Sequence, residues 1–317
     1  MSYLIEARNL KKHFTLRGKK VLKAVDNVDI AIAPGETLGL VGESGCGKST
    51  VGRTLVGLYK QTAGEIYYKN ENIQHLDKQK NREFIRKTQI IFQDPYSSIN
   101  SYMTVGDIIA EGIDNFKLFK GKERQERIYE LLELVGLNKD HTTRYPHEFS
   151  GGQRQRIGIA RSLAVEPDFI ICDEPISALD VSIQAQIVNL LSDLQKKFKL
   201  TYLFISHDLS MVQYISDRVA VMYLGKIVET ANCDSLYSDP HHPYTKGLLA
   251  SIPIPDPEIE FSRSAQVMTG EITSPLNPPP GCRFSTRCPL KKQICEEQAP
   301  PNVPISDSHF VACHLYT

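Results

Sequence analysis

A chain of 317 residues, 41% hydrophobic and 23% charged, is long enough for one large α/β domain plus an appendage. Lys plus Arg equals Asp plus Glu at 37 each, so no global field points to nucleic acid or to another strongly charged partner. No stretch approaches the ~18 to 20 uninterrupted apolar residues that span a bilayer. Residues 1–20 show neither an apolar signal region nor a small-residue cleavage site, so the chain is expected in the cytosol, reaching any membrane through partner proteins.

Taken in order, Leu4-Ile5-Glu6-Ala7 and the stretch from Val21 to Ile32 contain short, partly alternating apolar runs that read as strands. With Gly64-Glu65-Ile66-Tyr67-Tyr68 they suggest a small antiparallel sheet. Phe14, between the first two runs, has two readings: an aromatic that stacks on an adenine ring, or an ordinary surface or core aromatic. Next, the apolar run Thr37-Leu38-Gly39-Leu40-Val41 leads into Gly42-Glu43-Ser44-Gly45-Cys46-Gly47-Lys48-Ser49-Thr50, and a helical pattern follows to about Leu58. Strand, G-x-x-x-x-G-K-S, helix is the phosphate-cradling loop of nucleotide hydrolases. The glycines let consecutive N–H groups point inward at an anion, and the helix adds the positive end of its dipole. Lys48 can reach the β- and γ-phosphates and the Ser49 hydroxyl can ligate Mg²⁺, so the chain is expected to bind a nucleoside triphosphate.

Thr88-Gln89-Ile90-Ile91-Phe92 is a further strand, ended by Gln93-Asp94-Pro95. Gln93, at that strand end, could line a site or simply face solvent. From Thr104 to Gly136 apolar residues recur at three- and four-residue spacing, which predicts a helical subdomain over about residues 95–165. Within it, Phe149 precedes Ser150-Gly151-Gly152-Gln153. Ser150 is a good N-cap, and the two glycines are expected to leave the helix tip sterically open as a second anion site. Asp168-Phe169-Ile170-Ile171-Cys172 is a buried strand ending in Asp173-Glu174. Carboxylates at the C-terminal end of such a strand face the ligand crevice of an open α/β sheet. Asp173 suits water-bridged Mg²⁺ and Glu174 suits polarising the attacking water. Asp180 opens the next helix, Thr201 to Ile205 is another strand, and His207 at its end is placed for a γ-phosphate contact. After the strands Val219 to Tyr223 and Lys226 to Glu229 the composition shifts. Eleven of the 18 prolines fall between Pro253 and Pro304, so an irregular tail in need of a staple is expected there.

The set Gly42-to-Ser49, Gln93, Ser150-Gly151-Gly152-Gln153, Asp173-Glu174, Asp180 and His207 resembles an ABC ATPase in order and spacing, over about residues 3–250. The resemblance implies a RecA-like α/β core with an antiparallel β subdomain and a helical signature subdomain. It implies ATP hydrolysis with Mg²⁺ in cassettes paired head to tail, where Ser150, Gly151 and Gly152 of one contact the γ-phosphate held by the other. By the same resemblance Phe14 stacks on adenine and Gln93 links the site to the transmembrane partner. Asp180 sits at the dimer seam and His207 meets the γ-phosphate. Phe149 stands where Leu is more usual, a conservative departure.

The tail narrows the match. Asp239-Pro240-His241-His242-Pro243-Tyr244-Thr245 with Leu248-Leu249 resembles the C-terminal extension of oligopeptide and dipeptide importer ATPases. Those importers use two related cassettes, and Leu38 to Gly47 with Asn277-Pro278-Pro279-Pro280-Gly281-Cys282 resemble the F paralogue more than the D, which stays an alternative. The implied organisation is an ATPase domain over 1–230 and an extension over 231–317. The implied partners are a second, D-type ATPase subunit, two transmembrane permeases and an extracytoplasmic peptide-binding protein. The implied place is the cytoplasmic face of a bacterial inner membrane. Nickel or glutathione importers share this architecture, and soluble ABC ATPases or non-enzymatic regulatory modules are the rival classes.

Four of the seven cysteines, Cys282, Cys288, Cys295 and Cys313, crowd the tail at gaps wider than the C-x2–4-C pairs of structural zinc. Four thiolates can hold a [4Fe–4S] cube, Cys288-Pro289 echoes ferredoxin runs, and related importer tails are associated with such clusters. Zinc, or unmetallated thiols including paired ones, are the other readings.

Overall fold

A computed structural model describes residues 2–252 and 274–317. The part of the proline-rich stretch that lies in 253–273 is outside the described residues. Among the described residues twelve strands follow in chain order: β1 (Ile5–Thr15), β2 (Val21–Ile32), β3 (Thr37–Val41), β4 (Ala63–Tyr68), β5 (Glu71–Asn72), β6 (Thr88–Ile91), β7 (Phe169–Asp173), β8 (Thr201–Ile205), β9 (Arg218–Tyr223), β10 (Lys226–Asn232), β11 (Val303–Ser306) and β12 (His309–Val311). The chain divides into two compact units.

Unit 1 comprises Met1–Ile5, Ile32–Glu36 and Tyr67–Ile205. Its centre is the parallel trio β6-β7-β8, in which Ile91 pairs with Cys172 and Asp173 with Ile205. Every residue of β7 and β8 is buried, which is why both are continuous apolar runs rather than alternating ones. The helical stretch expected from Thr104 to Gly136 is two helices, Val105–Phe116 and Gly121–Leu134. Thr104 caps the first, accepting from the Asp107 N–H, and Lys117 ends it in a left-handed conformation at φ 57°. Val105, Ile108, Ile109 and Ile113 form the buried face of one, and Ile128, Leu131 and Leu132 that of the other, spacings set by the helical repeat. The helix Gly151–Leu163 packs on both.

Unit 2 comprises Glu6–Ala31, Thr37–Ile66 and Ser206–Thr317. β3 and β9 run parallel, and β10, β12 and β11 continue from β9 in antiparallel order. β2, β1 and β4 are neighbours in a second sheet. The tail is therefore less irregular than its composition predicts. Its last two strands extend the sheet beyond β10, with Glu229 of β10 opposite Val311 and Thr230 opposite Phe310. It also contributes its own apolar core, for Phe284 is fully buried against Tyr223 and Tyr244, with ring centroids 5.3 and 5.4 Å away. Among the described residues no helix is long and apolar enough to cross a membrane.

Candidate functional site

Unit 2 carries the glycine-rich loop, which follows β3 directly and runs into the helix Lys48–Leu55. Gly47 is the residue before that helix, at φ 111°, and a Cβ there would drive into the Ala24 carbonyl oxygen. No other residue type fits both constraints, so the motif glycine is required by backbone geometry. Lys48 is buried, 4% exposed. Its Nζ donates to the carbonyls of Gly42 at 2.7 Å and Glu43 at 3.1 Å, carbonyls rather than a carboxylate. Carbonyl dipoles, unlike a carboxylate, leave the ammonium's attraction for an anionic ligand unspent. Ser49 and Thr50 lie in the first helical turn, where N–H groups point outward. Cys46 fills out the loop. Burial pushes its thiol up, so it packs as a small apolar group and not as a nucleophile.

Phe14, on β1, is half-buried, its ring edge-on to Tyr59 at 5.6 Å with the Lys12 ammonium 4.7 Å from its centroid. An aromatic under a cation with part of its surface exposed is a platform a base can stack on. Tyr59 was not marked by the sequence because no motif surrounds it. His207 lies between β8 and the short helix Leu209–Ile215 and is exposed; Asp208 caps that helix through the Met211 N–H.

Unit 1 carries the acidic pair. Asp173 ends β7 fully buried. Glu174 follows at φ 48°, a left-handed conformation that side chains with a Cβ seldom adopt. Its N–H is held by the Ile205 carbonyl at 3.0 Å, which fixes the strained backbone. Its carboxylate accepts from Gln93 Nε2 at 2.8 Å. The strand before Gln93 stops at Ile91, one residue earlier than the apolar run predicts, and Gln93 is exposed beyond it. That bond orients the glutamine so that its amide oxygen, the half able to ligate a cation, is turned away from the carboxylate.

Ser150 caps the helix Gly151–Leu163 in a reciprocal box: its Oγ accepts from Gln153 N at 3.3 Å while its own N–H donates to Gln153 Oε1 at 3.0 Å. The tip is not as open as the two glycines suggest. A Cβ on Gly152 would press into the Ile183 side chain of the helix Val181–Phe198, and one on Gly151 would come within 3.4 Å of Leu179. Gly152 is thus required for helix-to-helix approach, whatever else it does. Asp180 precedes that second helix, exposed, without a side-chain capping bond.

The four tail cysteines lie in unit 2 as free thiols. Among the described residues no group of three or more His, Cys, Asp or Glu side chains is arranged to hold a metal. The thiols nonetheless act on one another. Burial, and then the neighbouring Cys295, Cys313 and Cys288, push Cys282 up to about 11, and burial raises Cys288 and Cys313. The donor chemistry fits a thiolate-bound group, while the present arrangement is not a preformed cage.

The model of the ABC transporter family matches residues 25–177, and that of the oligopeptide/dipeptide transporter C-terminal region matches residues 228–295. The chain is 53% identical to the oligopeptide transport ATP-binding protein AppF of Bacillus subtilis over 99% of its own length and 98% of the relative's. It is 64% identical to OppF of the same organism over 83% and 87%. Among solved structures, the cassette MJ0796 in a dimeric post-hydrolysis state bound to ADP and Pi covers 72% of this chain and 98% of its own, with TM-score 0.65 and 28% identity. CbiO1 of Clostridium perfringens, part of the ABC transporter complex cbiONQ, covers 75% and 92% with TM-score 0.66 and 25% identity. The chain belongs to the ABC transporter family of ATP-binding subunits, in the branch that carries the oligopeptide/dipeptide transporter C-terminal region.

Proposed function

We propose that the chain hydrolyses ATP to drive import of oligopeptides or dipeptides through a membrane complex. The observation that carries the reading is Lys48, a buried ammonium bonded to carbonyls of a loop whose N–H groups can face a phosphate. Oligopeptide transport is what the names of AppF and OppF state for those relatives, and the shared C-terminal region supports extending it here.

In this reading Phe14 stacks on the base, and Gly42 to Thr50 cradle the phosphates. Lys48 neutralises charge that develops on the γ-phosphoryl oxygens. Ser49, Gln93 and Asp173 supply hydroxyl, amide and carboxylate oxygens, the hard donor set that suits Mg²⁺, which when bound offsets phosphate charge. Glu174 takes a proton from the attacking water, His207 donates to the γ-phosphate, and Gln93 holds the Glu174 carboxylate in one orientation. Ser150, Gly151, Gly152 and Gln153 of a second ATPase subunit, and its Asp180 seam, complete the γ-phosphate contacts. The second subunit is a D-type relative, and two permeases with an extracytoplasmic binding protein complete the assembly, the ATPases lying on the cytoplasmic face. ATP favours the closed pair and hydrolysis the open one, a population shift that the permeases follow.

The thiols Cys282, Cys288, Cys295 and Cys313 are assigned to a [4Fe–4S] cluster with a structural role, zinc being the alternative. Anaerobically purified protein is expected to be brown and its quadruple Ser variant colourless. Colourless protein with one zinc per chain would reverse that assignment.

The test of the catalytic reading is Glu174→Gln in the assembled complex. ATP affinity is expected to stay at the wild-type level while turnover falls by roughly two to four orders of magnitude, the range for loss of a general base. Wild-type-like phosphate release would remove Glu174 from its role.

A further inference from the structure

Glu43 is held from three directions, and two of the three partners come from the C-terminal region. Its carbonyl accepts from Lys48 Nζ. Its backbone N–H donates to the Tyr244 hydroxyl at 2.9 Å. Its carboxylate takes Arg287 Nη1 between both oxygens, at 3.0 and 2.9 Å. Neither partner is a loose surface group. Tyr244 is fully buried against Tyr223 and Phe284, with centroids 4.6 and 5.4 Å away, and Arg287 is 7% exposed beside Glu43 at 21%. Both are anchored behind. His242 caps the helix Pro243–Ala250 by accepting the Tyr244 N–H at 3.0 Å, and Arg287 Nη1 also reaches the Tyr223 hydroxyl at 3.5 Å. Arg283, at the other end of the same loop, pairs with Asp26 and the Leu224 carbonyl. The loop between Cys282 and Cys288 is therefore pinned by an arginine at each end, Arg283 to Asp26 and Leu224 and Arg287 to Glu43.

We propose that Arg287 and Tyr244 are positioning residues through which the C-terminal region holds the phosphate loop in its triphosphate-binding form. A glycine-rich loop has many conformations to lose when it closes on phosphate, and fixing Glu43 removes much of that freedom beforehand. Lys48 Nζ donates to the same residue's carbonyl, so freeing Glu43 also loosens one of the two carbonyls that hold the ammonium. Neither partner touches nucleotide in this assignment; both act through Glu43. The inference rests on nucleotide binding at this loop.

The test uses the full-length chain, a fluorescent ATP analogue for affinity, and phosphate release by the assembled complex. Arg287→Glu is expected to raise the nucleotide Kd and the KM for ATP on the order of tenfold, with kcat at saturating ATP within about twofold, because a charge-assisted contact that organises binding is lost. Arg287→Lys should recover most of the affinity, since one nitrogen makes both contacts and an ammonium can replace it. Tyr244→Phe, which removes a single neutral hydroxyl, should raise Kd about threefold. Arg287→Glu with unchanged Kd and KM overturns the proposal, as does a loss of affinity that follows only a lowered Tm and is not recovered by Lys. Lys48→Ala run alongside separates the two readings. If it still binds nucleotide, the site assignment fails; if it loses binding while Arg287→Glu does not, only the positioning role fails.

Discussion

At the scale of single residues, the acidic pair shows how a carboxylate is fixed in one orientation by its backbone and its neighbours. Glu174 adopts a left-handed backbone that costs roughly 1 kcal/mol or more, and the Ile205 carbonyl and Gln93 side chain hold it there. The motif residues were legible because their roles depend on local spacing: Gly42 to Thr50, Ser150 with Gln153, and Asp173 with Glu174 are each a contiguous signal. Gln93 was legible as a strand-end residue, but its bond to Glu174 crosses 81 positions and no local pattern contains it. His242 is a similar case. It is 1% exposed, its Nδ1 accepts from Tyr244, and its Nε2 is buried without a partner among the described residues. Burial pushes it down to about 3 from the ordinary 6.5, so the folded chain keeps it neutral while the unfolded chain protonates. Its contribution to stability is therefore complete above pH 6.5 and is lost as pH falls from there toward 3. His242→Asn keeps a capping acceptor and removes the titration. It should flatten the decline of Tm between pH 6.5 and 4.5, and an unchanged slope would mean that His242 is not the group responsible.

At the scale of elements, the parallel strands and the helices of unit 1 followed from apolar periodicity, because each buries a continuous face. Two features did not follow. The break after Phe116 divides what reads as one periodic stretch, since the apolar spacing continues across it while left-handed Lys117, extended Lys120 and Gly121 at φ 53° interrupt the helix. The strands β11 and β12, four and three residues long, are too short for alternation to register, and β10, the strand that β12 pairs with, lies far upstream. What joins them to β10 is chemical. Glu229, buried, accepts the N–H groups of His241 and His242 at 2.7 and 2.9 Å and lies 2.8 Å from His309 Nε2. A buried carboxylate that loses one of three partners is costly. His309→Leu is expected to destabilise the chain by about 1–3 kcal/mol in chemical denaturation, with the unfolding slope unchanged. A loss below a few tenths of a kcal/mol would show that Glu229 is satisfied by the two N–H groups alone.

The helix tip at Ser150 belongs to the same scale. The capping box was readable from Ser150 and Gln153, whereas the approach of Ile183 to Gly152 was not, because it depends on the packing of two helices. Gly152→Val should clash with Ile183 and lower Tm even in the isolated chain, and the pair Gly152→Val with Ile183→Ala should regain part of it. Equal Tm for wild type and single variant would contradict the close approach.

At the scale of the whole molecule, the two units divide the work. Unit 2 carries the glycine-rich loop, Phe14 and the C-terminal region whose Tyr244 and Arg287 hold Glu43 of that loop, and unit 1 carries the acidic pair and the helix capped by Ser150. Membership of the family was legible because its motifs are specific in order and spacing. The support given by the C-terminal region to Glu43 was not, since Tyr244 and Arg287 stand 201 and 244 positions from it. The most direct measurement of the central claim is uptake of a labelled oligopeptide into vesicles carrying the complete complex, with ATP hydrolysis followed in the same sample. Uptake that requires hydrolysable ATP, and stops together with phosphate release in Lys48→Ala and Glu174→Gln, is the predicted result. Uptake that continues in either variant, or hydrolysis that continues with no peptide moved, would contradict it.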